Sequence, residues 1–539
     1  TSNDKTLQQT TGGLTPDDAG PTYAAVLFAI AESPVQEGVI WTGSNDGLVH
    51  VTRDGGLTWT AVTSNIPDLP PTGTVSNVEP SRYEAGTAYL TVDLHQLGDT
   101  NPYVYRTTNF GDSWTSLSEG IPRSVFSYAH VIREDPVRPG LLYLGTENAL
   151  YVSLDDGENW TRMRNNLPPA PVHDLTIQGH FNDLVVATYG RGFWIMDDIT
   201  PLQELTEDVI ASEVHLFTPR TAYRFLTRQR SQSQPEDPGA GTNPTYGASI
   251  SFYLERVPED GVQLEIHDEV GQFVQLLDTD RLRPGINRVH WDLQEASSDT
   301  PTLRTRPSEH SHVELQDEYF RSSGESSRVT PLAPPGSYTV TLHAAGFELM
   351  QPLVLLKDPN SGGSELEIQE QVSMVREIRE SVDSVVALID EIEWIRAQTQ
   401  LVQERNTDHA AVEEIREAGG ALEAELIELE MRLFDVRLTG GSARQDTLRW
   451  ARRLYARLTS LAGYITGTDD RPTDQSREIF EMLRSELGDY QRQMVAIRED
   501  VATFNRLLAD RGIEPDGLDG RPQQQHSTHP VARARALAH

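Results

Sequence analysis

Asp93, His95 and Asp99, in "VDLHQLGDT", place two carboxylates around one imidazole within a short stretch. That is the composition of a general acid–base pair or of a polar ligand-binding loop. Further along, "PVHDL" supplies His173 beside Asp174, and "TYGRGF" supplies Tyr189 and Arg191, a ring and a cation flanking a glycine. These residues are the candidate binding face, because insertions and turns between strands are where such faces are built. The plainer reading of each is a polar residue of a loop or a packed sheet, and no catalytic set is assignable. Cysteine is absent, which excludes thiolate nucleophiles, disulfides and thiolate metal sites. His267, His290 and His343 lack metal-ligand spacing, and His526, His529 and His539 are scattered near the end of the chain. The expectation is therefore no metal and no cofactor.

The elements that must position those residues are legible from a repeat. "TRDGGLTW" (52–59) returns as "TTNFGDSW" (107–114) and as "SLDDGENW" (153–160). The surrounding units align: "GVIWTGSNDGLVHVTRDGGLTWTAV" (38–62) matches "GLLYLGTENALYVSLDDGENWTRM" (140–163), and the middle copy carries an insertion at 93–102. Each reads as apolar strand, turn, apolar strand, tight turn and Trp-bearing strand, which is most of a propeller blade. A fourth unit, "VHDLTIQGHFNDLVVATYGRGFWIMDD" (172–198), keeps the strands and loses the phrase. In the phrase, Asp54, Asn109 and Asp155 are expected to accept hydrogen bonds from the turn. Gly56, Gly111 and Gly157 supply positive φ. Trp59, Trp114 and Trp160 are expected to anchor each hairpin against the neighbouring sheet. A calcium loop would need denser oxygen ligands than the phrase has.

The fold class expected is multidomain, mainly β and then α. Residues 1–21 are a leader, and 22–200 are about four blades, part of a larger propeller. Residues 201–247 are a connector ending in polar, Pro/Gly-rich sequence, "TRQRSQSQPEDPGAGTNPTYG". Alternating segments in 248–358 ("ASISFYL", "VQLEIHD", "INRVHWDL", "GSYTVTLHA") read as an immunoglobulin-like β-sandwich, with a polar insertion at 297–330. From Ser364 the period changes. Ile368, Val372, Val375, Val382, Val385, Ile389 and Ile392 form one helical stripe, and Ser364 with Glu367 makes a capping box. Residues 359–515 are thus an antiparallel helical bundle, with helices at about 364 onward, 408–437, 443–465 and 474–510. Residues 516–539 are a flexible tail.

The net charge of −36 argues against wrapping nucleic acid or binding an anionic membrane through charge. No run reaches the ~18 apolar residues of a transmembrane segment. The start, "TSNDKTLQQT", has neither Met nor a basic-then-apolar signal and is read as that of a processed or truncated chain.

The repeated phrase resembles the Asp-box, or bacterial neuraminidase repeat, of sialidases, xyloglucan-degrading glycosidases and the sortilin ectodomain. The resemblance extends through "VVATYGRGFWIMDDITPL", "LFTPRTAYRF" and "NPTYGASISFYL" to the carboxy-terminal half of bacterial exported proteins labelled sortilin-like or glycosyl hydrolase. It covers about 15–360. It implies an extracytoplasmic (periplasmic, cell-surface or secreted) bacterial protein. It also implies a propeller of six or more blades, completed by an amino-terminal segment of the same precursor or by a separate polypeptide. The function implied is a binding and assembly scaffold for protein, peptide or glycan. The alternative is a polysaccharide-acting hydrolase of the xyloglucan-hydrolase type, whose two carboxylates lie partly outside this chain. Neither a sialidase-type arginine cluster with a Tyr nucleophile nor that carboxylate pair maps onto these residues.

Overall fold

The computed structural model describes residues 26–226, 241–306, 327–438 and 450–513. They fall into two compact units. One lies within Thr1–Arg220, Ser251–Val257 and Arg283–Asn287, the other within Thr221–Ile250, Pro258–Leu282 and Arg288–His539. The sequence stretches read as leader and tail lie outside the described residues.

The first unit is a succession of antiparallel meanders. β1 (Leu27–Glu32), β2 (Ile40–Ser44), β3 (Val49–Thr52) and β4 (Thr60–Ala61) form the first sheet. β5 (Thr74–Pro80), β6 (Ala88–Asp93), β7 (Tyr103–Thr107) and β8 (Thr115–Ser116) form the second. β9 (Ala129–Glu134), β10 (Leu142–Thr146), β11 (Leu150–Ser153) and β12 (Thr161–Met163) form the third. The fourth has three strands, β13 (Val172–Gln178), β14 (Asp183–Thr188) and β15 (Phe193–Met196). In each, strand order follows sequence order, and the first strands β1, β5, β9 and β13 pack on one another in turn. This is how propeller blades are arranged. Apolar cores fill the space between successive sheets: Trp41 with Val75 and Trp114, then Leu117 with Leu144 and Trp160, then Tyr143 with Val172 and Leu184.

The repeated phrase closes each hairpin through one recurring set of bonds. In the first copy Thr52 Oγ1 donates to Asp54 Oδ1 at 2.8 Å and accepts from Gly56 N at 2.9 Å. Thr58 N then donates to Asp54 Oδ1 at 2.8 Å. Thr107, Asn109, Gly111 and Ser113 repeat it at 3.0, 3.0 and 2.9 Å. Ser153, Asp155, Gly157 and Asn159 repeat it at 2.8, 2.8 and 2.9 Å. Hydrogen bonds from Thr58 and Thr52 pull the Asp54 carboxyl down to about 2. Burial pushes the Asp155 carboxyl up, but the bonds from Asn159 and Ser153 outweigh it and the net shift is downward.

The tryptophans do not share one environment, which corrects the expectation that all three anchor a neighbouring sheet. Trp114 is 7% exposed and meets Trp41 of the first sheet edge-on, centroids 5.9 Å apart. Trp160 is 9% exposed and donates from Nε1 to Leu117 O of the second sheet at 2.8 Å. Trp59 is 44% exposed. The second and third clasps dock onto the sheet before them. A Cβ on Gly111 would lie 2.9 Å from Val62 and one on Gly157 2.7 Å from Leu117, whereas one on Gly56 would meet nothing nearer than its own Trp59. Among the described residues, no sheet precedes the first to receive Trp59.

The stretch read as a connector contains regular elements. It holds α1 (Thr200–Glu204), α2 (Glu207–Ala211), β16 (Val214–Leu216) and β17 (Ala222–Arg224), while 227–240 lies outside the described residues. β18 (Ala248–Leu254), β19 (Val262–His267), β20 (Phe273–Leu277), β21 (Gly285–Trp291), β22 (Gly336–Ala344) and β23 (Phe347–Lys357) follow. A five-stranded sheet in the order β17-β23-β22-β19-β20 is antiparallel except for β17, which joins β23 in parallel. The connector therefore contributes an edge strand, because Ala222 and Arg224 are buried and Arg224 needs a buried anion. That anion is Asp469, whose second oxygen accepts from Ser361 Oγ at 2.7 Å.

Among the described residues, four helices complete the second unit: α3 (Glu365–Arg405), α4 (Val412–Leu433), α5 (Leu454–Ile465) and α6 (Asp474–Asp510). They agree with the sequence periodicity, and Ser364 with Glu367 forms the reciprocal capping box. All seven residues of the expected stripe are buried. Inside the bundle Arg396 pairs with Glu393 at 3.1 Å and Glu430 at 2.6 Å, all three buried. Burial, followed by the charge of Glu393, pushes the Glu430 carboxyl well up. Of the insertion, 307–326 lies outside the described residues, and its two ends are fixed by Ser298 N donating to Val329 O at 2.8 Å. Residues Asp299 to Thr305 lie along α3. Thr302 N donates to Asp390 Oδ1 at 2.7 Å, and Thr305 N to Glu393 Oε2 at 2.6 Å.

Candidate functional site

The expected binding-face residues sit at the ends of strands in the second and fourth sheets of the first unit, and the third sheet links them. Asp93 ends β6, and His95 opens the 3-10 turn His95–Leu97 that Gly98 closes with φ 82°. His95 Nδ1 lies 2.7 Å from both Asp93 oxygens, which fixes the ring. Tyr128 precedes β9 and His130 lies within it. Two residues apart on a strand, they share a face. Thr91 Oγ1 of β6 donates to His130 O at 3.1 Å and holds β9 against the second sheet. Glu147 follows β10 and donates its backbone N to Tyr128 O at 3.1 Å. His173 lies in β13. Tyr189 follows β14 and is tied by its N to Pro171 O at 3.0 Å.

Together these rings make a continuous row. His95 stacks on Tyr128 with centroids 4.6 Å apart. Tyr128 meets His130 edge-on at 5.2 Å, and His130 meets His173 at 4.2 Å, tilted 34°. His173 stacks on Tyr189 at 5.5 Å. Carboxylates line it: Asp93 under His95, and Glu147 Oε2 at 2.8 Å from His130 Nε2. Burial pushes the Tyr128 phenol up, and the charge of Glu147 adds to it. Burial, then the neighbouring His130, hold His173 below the ordinary imidazole value. The row can stack on a ring-bearing ligand, accept hydrogen bonds from it, and offer imidazole nitrogens to a proton or a cation.

Of the expected residues, the structure brings Asp93, His95, His173 and Tyr189 into this row. Asp99 shapes its own loop, accepting from Asn101 N at 3.0 Å and Tyr103 Oη at 2.7 Å. Asp174 accepts from Arg133 Nη2 at 2.9 Å and Leu175 N at 2.8 Å. Arg191 is exposed in the turn between Gly190 and Gly192, which have φ of 81° and 72°. The residues that sequence reading missed are Tyr128, His130 and Glu147. The signal for Tyr128 and His130 was in "SYAHVIRED", where Tyr and His alternate with apolar residues at the start of a strand; Glu147, in the turn "GTENA", carried none.

No family model matches the chain, and no curated protein matches it. Among solved structures, it is similar to YCF48 from Cyanidioschyzon merolae, at 16% identity over 63% of this chain and 86% of that one, with a TM-score of 0.24. A structure described as YCF48 bound to D1 peptide gives 14% identity over 61% and 83%, with a TM-score of 0.24. The GH74 xyloglucanase from Xanthomonas campestris gives 12% identity over 65% and 48%, with a TM-score of 0.26. Likenesses of that size bring no activity with them. Among the described residues, no helix is long and apolar enough to cross a membrane.

Proposed function

We propose that the chain is a sortilin-like Asp-box scaffold of an exported bacterial protein, whose ring row is the docking platform for a glycan or peptide partner. The observation that carries this is the continuous row from His95 to Tyr189, assembled from three successive sheets and edged by Asp93 and Glu147. Aromatic faces take sugar rings or side chains by stacking, and the adjoining carboxylates fix their hydroxyl or amide groups. In this reading the sheets are blades of a larger propeller. They are completed by an amino-terminal segment of the same precursor or by a separate polypeptide. The immunoglobulin-like region and the bundle serve assembly.

The test titrates the whole chain with xyloglucan oligosaccharides and with a peptide library in the presence of chelator. Binding should fall at least tenfold in Tyr189→Ala while the melting curve stays put, since Tyr189 is exposed. Wild-type affinity in that variant, or no binding by the wild type, would sink the platform. Release of reducing ends from xyloglucan would replace the scaffold with the hydrolase.

A further inference from the structure

Three side chains at the middle of the row come from separate places in the sequence, and one ligand atom of each lies within 4.8 Å of the others: His130, Glu147 and His173. We propose that they form a binding site for a divalent transition ion of the zinc class, two imidazoles and one carboxylate, with a coordination position open to solvent. The site shares residues with the platform but does not depend on that reading.

The donor set selects the ion. Imidazole nitrogen with a single carboxylate suits zinc and its neighbours, whereas calcium and magnesium require mostly oxygen. Two histidines and a glutamate are also a catalytic-type zinc set, leaving a fourth position for water or a ligand group. Bonds of about 2.0–2.2 Å in tetrahedral geometry set ligand atoms about 3.3–3.6 Å apart. The three ligand atoms now lie within 4.8 Å of one another, a span that side-chain rotation alone can close. His130 Nε2 and Glu147 Oε2, now 2.8 Å apart, need to open by less than about an ångström. The backbone is already fixed for the purpose. β9 is held by Thr91, Glu147 by its bond to Tyr128 O, and β13 packs directly on β9. His173 is the exposed member, so an ion can enter from solvent. Tyr128 and Tyr189 flank the pair of imidazoles and would limit what else reaches the open position. His95 is engaged by Asp93 and is not counted among the ligands.

The experiment is isothermal titration of the chelator-treated full chain with zinc chloride alone, paired with the visible spectrum of a cobalt(II)-loaded sample. One equivalent should bind, and cobalt should give the intense bands of four-coordination. His173→Ala and Glu147→Gln should each weaken zinc at least tenfold. His173→Ala should leave the metal-free melting curve unchanged, so that weakening is not mistaken for unfolding. A variant with His526, His529 and His539 all changed to Ala should bind as the wild type does. Absence of binding, or wild-type affinity in both cluster variants, would overturn the site. Because zinc is measured without ligand, and ligand with chelator, failure of one leaves the other standing.

Discussion

The repeated phrase contains one tryptophan per copy, but the three should differ in what they contribute. Trp160 is enclosed by the second and third sheets and hydrogen-bonded to Leu117 O, so Trp160→Ala should cost about 3–5 kcal/mol in denaturant unfolding. Trp59→Ala, with the residue 44% exposed and, among the described residues, no neighbouring sheet against it, should cost less, about 1 kcal/mol. Equal losses would show that burial against the preceding sheet does not set the energy. Asp155→Ala, which leaves the Asn159 and Ser153 donors without their acceptor, should cost about 1–2 kcal/mol. The clasp was legible because every one of its bonds is local, spanning two to four residues. The ring row was half legible for the opposite reason. Asp93 and His95 are neighbours in sequence, but His130, Glu147 and His173 converge only once β9 lies beside β13.

At the level of elements, α3 depends on partners outside the bundle. Asp390 accepts from Thr302 N, and burial pushes its carboxyl up to about 6 despite that bond and the nearby Arg304; Asp299 and Glu393 push the same way. A carboxyl with a raised folded pKa binds more protons folded than unfolded between its ordinary 3.8 and about 6. Stability therefore falls as pH rises through that window, and the loss is complete above it. Asp390→Asn should be more stable than wild type near neutral pH by up to about 3 kcal/mol. The gap should close toward pH about 4. A pH-independent difference would contradict the assignment. The same contacts revise what an excised bundle should do. Glu393 takes backbone N–H bonds from Arg304 and Thr305, so a fragment beginning at 297 should melt above one beginning at 364. Periodicity placed the helices but could not show this, because the strap of residues that satisfies Asp390 and Glu393 is polar and aperiodic. The edge strand β17 escaped for a similar reason, being three residues long and buried through an ion pair rather than an apolar pattern.

At the scale of the whole molecule, the succession of sheets ends in apolar surface on both sides. Ile30 of β1 is 70% exposed and Phe193 of β15 78% exposed, with Phe28 and Ile195 beside them. Surface of that kind marks an interface. Light scattering after size exclusion should therefore find the isolated chain associated, and Ile30→Asp or Phe193→Asp should move it toward a 60.0 kDa monomer. A wild-type monomer that melts cooperatively would show that these faces need no cover. The docking of the second and third clasps onto the sheet before them gives the succession of sheets a direction. Among the described residues, one end offers a tryptophan that no sheet receives, and the other offers a sheet with no clasp. Two copies meeting by a twofold axis would set Trp59 against Trp59, plug against plug. Pairing of copies through these ends would instead be head-to-tail, and such contacts either close into a ring or run on as a fibre. The number of copies in a closed assembly would then measure the turn between one sheet and the next.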